Sequence, residues 1–591
     1  MISNKFVYSI MAGLIALFLI VLMVLPNLGV EAKNDEFSYE TKLFNEKKVT
    51  TVDIEINEED WADILKNPNK EEYKEASVTI NGERIGNVAV RTKGNSSLMS
   101  VANSDSNRYS LKIDFDHYDN TQSFYGLKKL NLNNNFSDTT QMKEYVSYEM
   151  MESMGLATPD HSYMNVTVNG EDYGLMLGVE AVDETFLAKN YGSNDGFLYK
   201  PDGTGSDLKY ISSDIDDYSG LNPKTNESNL DQSNILDMID VINNGGDIEE
   251  YIDVDNMLRY FATTTALVSM DSYQGMMKHN YYLYEEDGKF SIIPWDYNMA
   301  FGGFSMGGMG DMGDRPMPEG MENMDMSKLM EGGEMQLPEG QELPEGIKGG
   351  NMLDAMTNEE IMTDEAINFD IYNPVQSTTL EDRPLLNALL ENEEYLAKYE
   401  KYLEEVSTKY FTEENVSKIT REVSATILTY VKADPSKFTT TEQFLAGVSG
   451  ENSLAAFAGA RSESILKQLS GELVIDSKSA EEDPQVDHNT EPKESPPIQS
   501  TQDDSGQSEK SEGMKPPEGF DPENMPEGMD LPEGFDPSKM PDGMGQGQMG
   551  DSGENVDPVS SMKSLALTLG SLLILLLAIF GVKKFNRRGF R

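Results

Sequence analysis

Three side chains with oxygen donors crowd one stretch, MDSYQGMMKHNYYLYEEDGKFSIIPWDYNMAFGG, residues 270–303. YYLY and KFSII flank Asp287-Gly288, which predicts a tight hairpin with a type I′ turn. Pairing across such a turn sets residue 286 opposite 289 and, moving outward, 280 opposite 295. Asn280 and Asp296 therefore meet at the open end of the hairpin. Asp271 lies in the loop just before it, at the end of a predicted helix. Carboxylates and amides are hard donors that suit magnesium and phosphates. Composition narrows the chemistry further. The chain has no cysteine and only four histidines, His117, His161, His279 and His488. Thiol nucleophiles and Cys-ligated metals are excluded, and no two histidines have helical metal-site spacing. A net charge of −56 from 47 basic and 103 acidic residues argues against a nucleic-acid partner.

The order of these parts has a chemical use. Protein kinases place a base Asp, then a metal-binding Asn, then two strands, then a metal-binding Asp. Here the order is Asp271, Asn280, strand, turn, strand, Asp296, with Gly302 and Gly303 close behind. The upstream half fits as well. Lys112 lies on a predicted strand, a helix with Glu144, Glu149 and Glu152 follows, and a hairpin then leads to Glu180. A strand lysine paired with a helix glutamate orients nucleotide phosphates in kinases.

The stretch HNYYLY…IIPWDYNMAFGG resembles the signature of the spore coat protein H (CotH) family, an atypical kinase-like family. Other resembling pieces are VRTKGNSS (90–97), YSLKIDFD (109–116), LNLNNNFSD (130–138), VNGEDYGLMLGVEAVDETFL (168–187), GFLYKPD (196–202), RPLL (383–386) and ARSESIL (460–466). They cover about 50–475. The resemblance implies a secreted kinase that phosphorylates Ser or Thr of proteins with ATP and Mg2+ or Mn2+. It implies Asp271 as the catalytic Asp and Asp296 as the metal-binding Asp. Asn280 is the second expected metal ligand, and Lys112, Glu144 and Glu180 are the expected nucleotide-binding residues. TKGNSS is the candidate for the role of a Gly-rich loop. A second reading is a surface adhesin or scaffold on an inactive kinase-like fold.

The elements around these residues can be read from pattern. SVTINGERIGNVAVRT alternates on both sides of Asn81-Gly82, and YMNVTVNGEDYGLMLGVE alternates around Asn169-Gly170, so each is a predicted hairpin. In RYSLKIDFD, Leu111, Ile113 and Phe115 share one face and Lys112 takes the other. SDTTQMKEYVSYEMMESMG reads as a helix capped by Ser137 or Asp138, with Met142, Val146, Met150 and Met154 at helical spacing and Gly155 at its stop. IDVDNMLRYFATTTALVSM reads as a buried helix, and further helices fill 382–469. Strands with one helix, then a mainly helical half, give an α+β class with a two-lobed, atypical protein-kinase-like layout.

Two segments differ in composition. Residues 304–350 and 476–560 repeat Pro-Glu-Gly or Pro-Asp-Gly units with Met nearby, and read as a disordered acidic insert and a disordered stalk. They divide the folded part into 45–303, the strand-rich lobe with the site region, and 351–475, the rest of the helical lobe. Residues 1–32 carry an apolar run that reads as a signal peptide or an uncleaved anchor. Residues 563–582 read as a transmembrane helix and 583–591, KKFNRRGFR, as a basic cytoplasmic tail. The expected location is the cell membrane, with the chemistry on the extracytoplasmic side.

Overall fold

The structure, a computed structural model, describes residues 37–226, 231–304 and 361–475. The chain divides into Met1–Val486 and Asp487–Arg591, and the second unit lies wholly outside the described residues. So do the expected N-terminal apolar segment, nearly all of the insert, the stalk and the C-terminal span. Among the described residues no helix is long and apolar enough to cross a membrane.

The class is mixed α+β. Seven strands close into a barrel in the order β1-β2-β3-β4-β5-β7-β6. They are β1 (Thr50–Ile56), β2 (Lys74–Ile80), β3 (Glu83–Lys93), β4 (Ser110–Asp114), β5 (Lys129–Asn133), β6 (His161–Val168) and β7 (Glu171–Glu180). Every pairing is antiparallel except β1 with β6. The alternation seen in sequence fills the barrel: Val52, Ile54, Val88, Val90, Leu111, Ile113, Leu130 and Leu132 are at most 1% exposed. Each such side chain contributes about 1.5–3 kcal/mol relative to exposure. Sequence pattern predicts strands here but not their closure, because β1 meets β6 across more than a hundred residues.

The predicted turns are present. Asn81-Gly82, Asn169-Gly170 and Asp287-Gly288 have φ of 50 and 88°, 53 and 82°, and 51 and 83°. Both central residues are left-handed, as a type I′ turn requires. The last turn joins β9 (Tyr281–Glu286) to β10 (Lys289–Pro294), which pair Glu286 with Lys289 and Tyr281 with Pro294. Strand β8 (Leu198–Tyr199) completes a separate three-stranded sheet.

Four helices matter most for the site. Helix α1 (Ser96–Ala102) begins at the two serines of TKGNSS and was not foreseen from the sequence. Helix α2 is Lys143–Ser153, starting later than Ser137 or Asp138. Asp138 still serves its start, since its carboxylate accepts from the Lys143 amide at 2.7 Å and the Thr140 amide at 2.9 Å. Helix α2 is buried around most of its circumference, Lys143 and Glu144 included. Helix α3 (Val254–Leu267) is the expected buried helix and delivers the chain to Asp271. Helix α4 (Leu454–Leu469) packs near it, and its buried Arg461 donates to the carbonyls of Thr265, Ile367 and Phe369.

Candidate active site

A cavity of about 570 Å³ gathers most of the residues singled out by sequence. One wall is the outer, polar face of β3, β4 and β5. Register sets Arg91 opposite Lys112 and Lys112 opposite Asn131. Period-two alternation sends Leu111 and Ile113 into the barrel and Lys112 out to the cavity. Arg91, Lys93, Lys112, Lys129 and Lys200 all line this space. Arg91 pairs with Glu71, and Lys129 lies 3.8 Å from Asp116 and 3.9 Å from Asp183. Lys112 faces chiefly other cations. Burial, then Arg91, Lys129, Lys93 and Lys200, push its ammonium down to about 8. A concave surface of this kind favours a polyanion such as a nucleotide's phosphates.

The other wall comes from the 271–304 segment. Asp271, His279, Asn280, Trp295, Asp296 and Asn298 all line the cavity. His279 Nε2 lies 2.5 Å from Asp271 Oδ1. Asn280 Nδ2 donates to Asp271 Oδ2 and to the Asp271 carbonyl, each at 3.0 Å. Asp296 is left-handed, with φ 59°, and follows β10 by two residues. Burial works against a charge on His279, but the Asp271 carboxylate prevails and holds the imidazole above its ordinary value.

A hydrogen-bond chain links the two walls. Lys93 Nζ donates to Asn133 Oδ1 at 2.6 Å, and Asn133 Nδ2 donates to Glu144 Oε2 at 2.9 Å. The Tyr148 hydroxyl donates to Glu144 Oε1 at 3.1 Å and accepts from the Asp296 amide at 3.1 Å. β3, β5, α2 and the Asp296 loop are thereby fixed to one another. Burial, then the charge of Asp296, hold Glu144 well above the usual carboxylate range.

The expected residues divide as follows. Asp271, Asn280, Asp296, Lys112 and Glu144 share the cavity. Of the three helix glutamates only Glu144 faces it, while Glu149 lies 3.5 Å from His161 on another side. The lysine joined to Glu144 is Lys93, through Asn133, and Lys112 stands on the neighbouring strand. Glu180 does not reach the cavity. It is fully buried, accepts from Lys189 Nζ at 2.7 Å and the Asp160 amide at 3.0 Å, and also accepts from the Tyr39 hydroxyl. It ties the segment around Tyr39 to the chain beyond β7. The following residues, Ala181 to Glu184, line the cavity instead. TKGNSS also lies there, with Gly94 at φ 120° and Asn95, Ser96 and Ser97 on the wall.

Sequence reasoning assigned no role to Lys93, Asn133, Tyr148, Lys200 or His279. The first two carried a usable signal. LNLN on β5 alternates, so Asn131 and Asn133 share the outward face with Lys112. Lys93 shares that face two residues beyond Arg91. The partnership of Tyr148 with Asp296 depends on how α2 packs against the loop, and no local pattern reports it.

Among the described residues no three acidic or histidine side chains form a ready-made cation cage. The donor set suits a magnesium-type ion bound through one or two protein oxygens, with the phosphates of a ligand supplying the rest. Asp296 would hold it with a carboxylate. With its amide hydrogens on Asp271, Asn280 would offer its oxygen to such an ion.

Fold and site together define a mixed α+β protein whose cation-rich barrel face looks across a cavity at clustered carboxylates. A family model described as CotH kinase protein matches residues 90–465, and the chain belongs to that family. Inner spore coat protein H of Bacillus subtilis (strain 168) is 30% identical over 196 residues, 31% of this chain and 52% of that protein. The chain thus spans about half the length of the curated relative it matches.

Proposed function

We propose that this chain is a protein kinase of the CotH type that transfers the γ-phosphate of ATP to Ser or Thr of secreted or surface proteins. The observation that carries this reading is the chain Lys93–Asn133–Glu144–Tyr148–Asp296, which fixes a cationic wall opposite a carboxylate loop containing Asp271. In this reading the barrel is the first lobe of a two-lobed kinase-like arrangement and the helices beyond residue 184 are the second. Lys93, Lys112 and Lys200 hold the phosphates. Mg2+ or Mn2+ held by Asp296 and Asn280 would offset phosphate charge. Asp271 orients the acceptor hydroxyl. As the acceptor oxygen bonds to the γ-phosphorus, the bond to the β-phosphate oxygen breaks, ADP leaves and Asp271 takes the hydroxyl proton.

Two substitutions test the assignment. Asp296→Asn is expected to abolish metal-dependent nucleotide binding, because a neutral amide does not offset a cation's charge. Asp271→Ala is expected to keep nucleotide and metal binding and to lose about 10²–10⁴-fold in transfer, the usual worth of a positioned base. Transfer at the normal rate by Asp271→Ala would remove Asp271 as the base, whereas no transfer by the wild type would favour the scaffold reading.

We also propose that the kinase part faces outward from the cell membrane, held by the C-terminal apolar segment. The basis is the apolar run 563–582 followed at once by KKFNRRGFR. Protease added to intact cells should degrade the chain up to about residue 560 and spare that basic tail. Protection of 37–475 in intact cells would reverse the orientation.

A further inference from the structure

We propose that His279 is a positioning residue for phosphate transfer, acting with Asn280 as a two-sided clamp on Asp271. The inference rests on the kinase reading of the site. His279 Nε2 meets Oδ1 at 2.5 Å, while Asn280 Nδ2 meets Oδ2 at 3.0 Å. An ionised carboxylate only accepts, so the imidazole N–H donates. Each Asp271 oxygen thus carries one donor, which fixes both torsions of the side chain.

The backbone is shaped for this clamp. His279 and Asn280 are adjacent, and neighbours in an extended strand point to opposite faces. Here the chain enters β9 through left-handed residues at Lys278, φ 49°, and Asn280, φ 57°. That bend lets both side chains turn onto one carboxylate. Such conformations are unfavourable at a non-glycine residue and persist where the surroundings enforce them. Lys278 is itself anchored, with Nζ 3.3 Å from Asp207. Side chains of His279 and Asp271 are 18% and 17% exposed, so water competes little for the contact.

The consequence is geometric. Asp271 must receive the hydroxyl proton while the acceptor oxygen attacks phosphorus. With Oδ1 held by His279 and one direction of Oδ2 held by Asn280, the remaining lone pair of Oδ2 has a fixed aim. Loss of the imidazole leaves the base free to rotate, and misplacement near 1 Å costs about 10²-fold.

The test uses the full-length chain, labelled ATP, Mn2+ and a Ser-rich acceptor peptide. His279→Leu should lower kcat by about 10²-fold with KM for ATP and the melting temperature unchanged. His279→Gln, whose amide can donate at a similar reach, should recover at least about tenfold of that loss. In an Asp271→Ala background, His279→Leu should have no further effect, because the clamp acts only through that carboxylate. Equal rates for the Gln and Leu variants, an additive loss on top of Asp271→Ala, or joint loss of melting transition and nucleotide binding in His279→Leu would overturn the proposal. If the wild type transfers no phosphate while still binding nucleotide, the kinase reading itself fails and takes the clamp with it. Wild-type transfer with an unaffected His279→Leu defeats the clamp alone.

Discussion

Lys112 shows how a single residue in this site is tuned by its neighbours. Its value of about 8 arises from burial and from the cations around it, not from a carboxylate partner. The sign follows directly. Below about pH 8 the ammonium is charged and attracts phosphate. Above it the free protein loses that charge, and binding must take a proton back. Nucleotide affinity is therefore expected to be strongest below pH 8 and to fall by up to about tenfold per unit above it, as linkage requires for one coupled proton. Lys112→Met should bind more weakly and lose that slope. Titration calorimetry from about pH 6 to 10 checks both points, and an unchanged slope in Lys112→Met would assign the proton elsewhere.

At the level of elements, the 271–280 loop is held by residues far along the chain. Arg383 is buried, and its Nε donates to the Tyr273 carbonyl at 2.6 Å while its guanidinium also reaches the Gly275 carbonyl. Arg461 does similar work at Thr265, near the end of α3. The Tyr273 and Gly275 carbonyls lie in the loop, outside any helix or strand. Arg383→Met would orphan them, at about 1–3 kcal/mol for each buried group. The expected result is a lower melting temperature and a transfer rate that falls more than nucleotide affinity does. A variant that loses stability but keeps its transfer rate would show that the loop holds its shape without Arg383. The same elements explain why RPLL and ARSESIL were legible as pieces of a family pattern yet had no role assignable from sequence: an arginine's target carbonyls are a tertiary fact.

Across the described part of Met1–Val486, one ion pair joins the barrel to the last helices. Arg108, just before β4, meets Asp434 at 2.6 Å, and each is 1% exposed. Arg108 also donates to Ser436 at 2.7 Å and to the Asn134 carbonyl at 3.1 Å, and Asp434 accepts from the Leu175 amide at 2.9 Å. Gly174, with φ 130°, leaves the space this cluster fills, since a Cβ there would strike Arg108 and Asp434. Removing one partner strands a buried charge, so Asp434→Ala should cost about 3–5 kcal/mol in denaturant unfolding. Replacing both by apolar residues, Arg108→Met with Asp434→Leu, should recover a large part of that loss. A cost below about 1 kcal/mol for the single change would mean the pair is not desolvated as its burial implies.

Local signals in the sequence determined the turns, the alternating strands and the placement of Asn280 beside the hairpin that ends in Asp296. Those features depend on neighbours within a few residues: left-handed Asn-Gly and Asp-Gly pairs, and a side-chain period of two. They also put Lys112 on the outward face of its strand. Composition alone set aside thiol chemistry, since the chain has no cysteine. Contacts between distant segments were decided only by tertiary structure. The pairing of β1 with β6 closed the barrel, and the packing of α2 chose Glu144 over Glu149 and Glu152. Folding also tied Glu144 to Lys93 through Asn133, and sent Glu180 to Lys189 and Tyr39 instead of the cavity. For the glutamates and lysines several residues of the right type were available, and packing decided which of them met a buried polar partner.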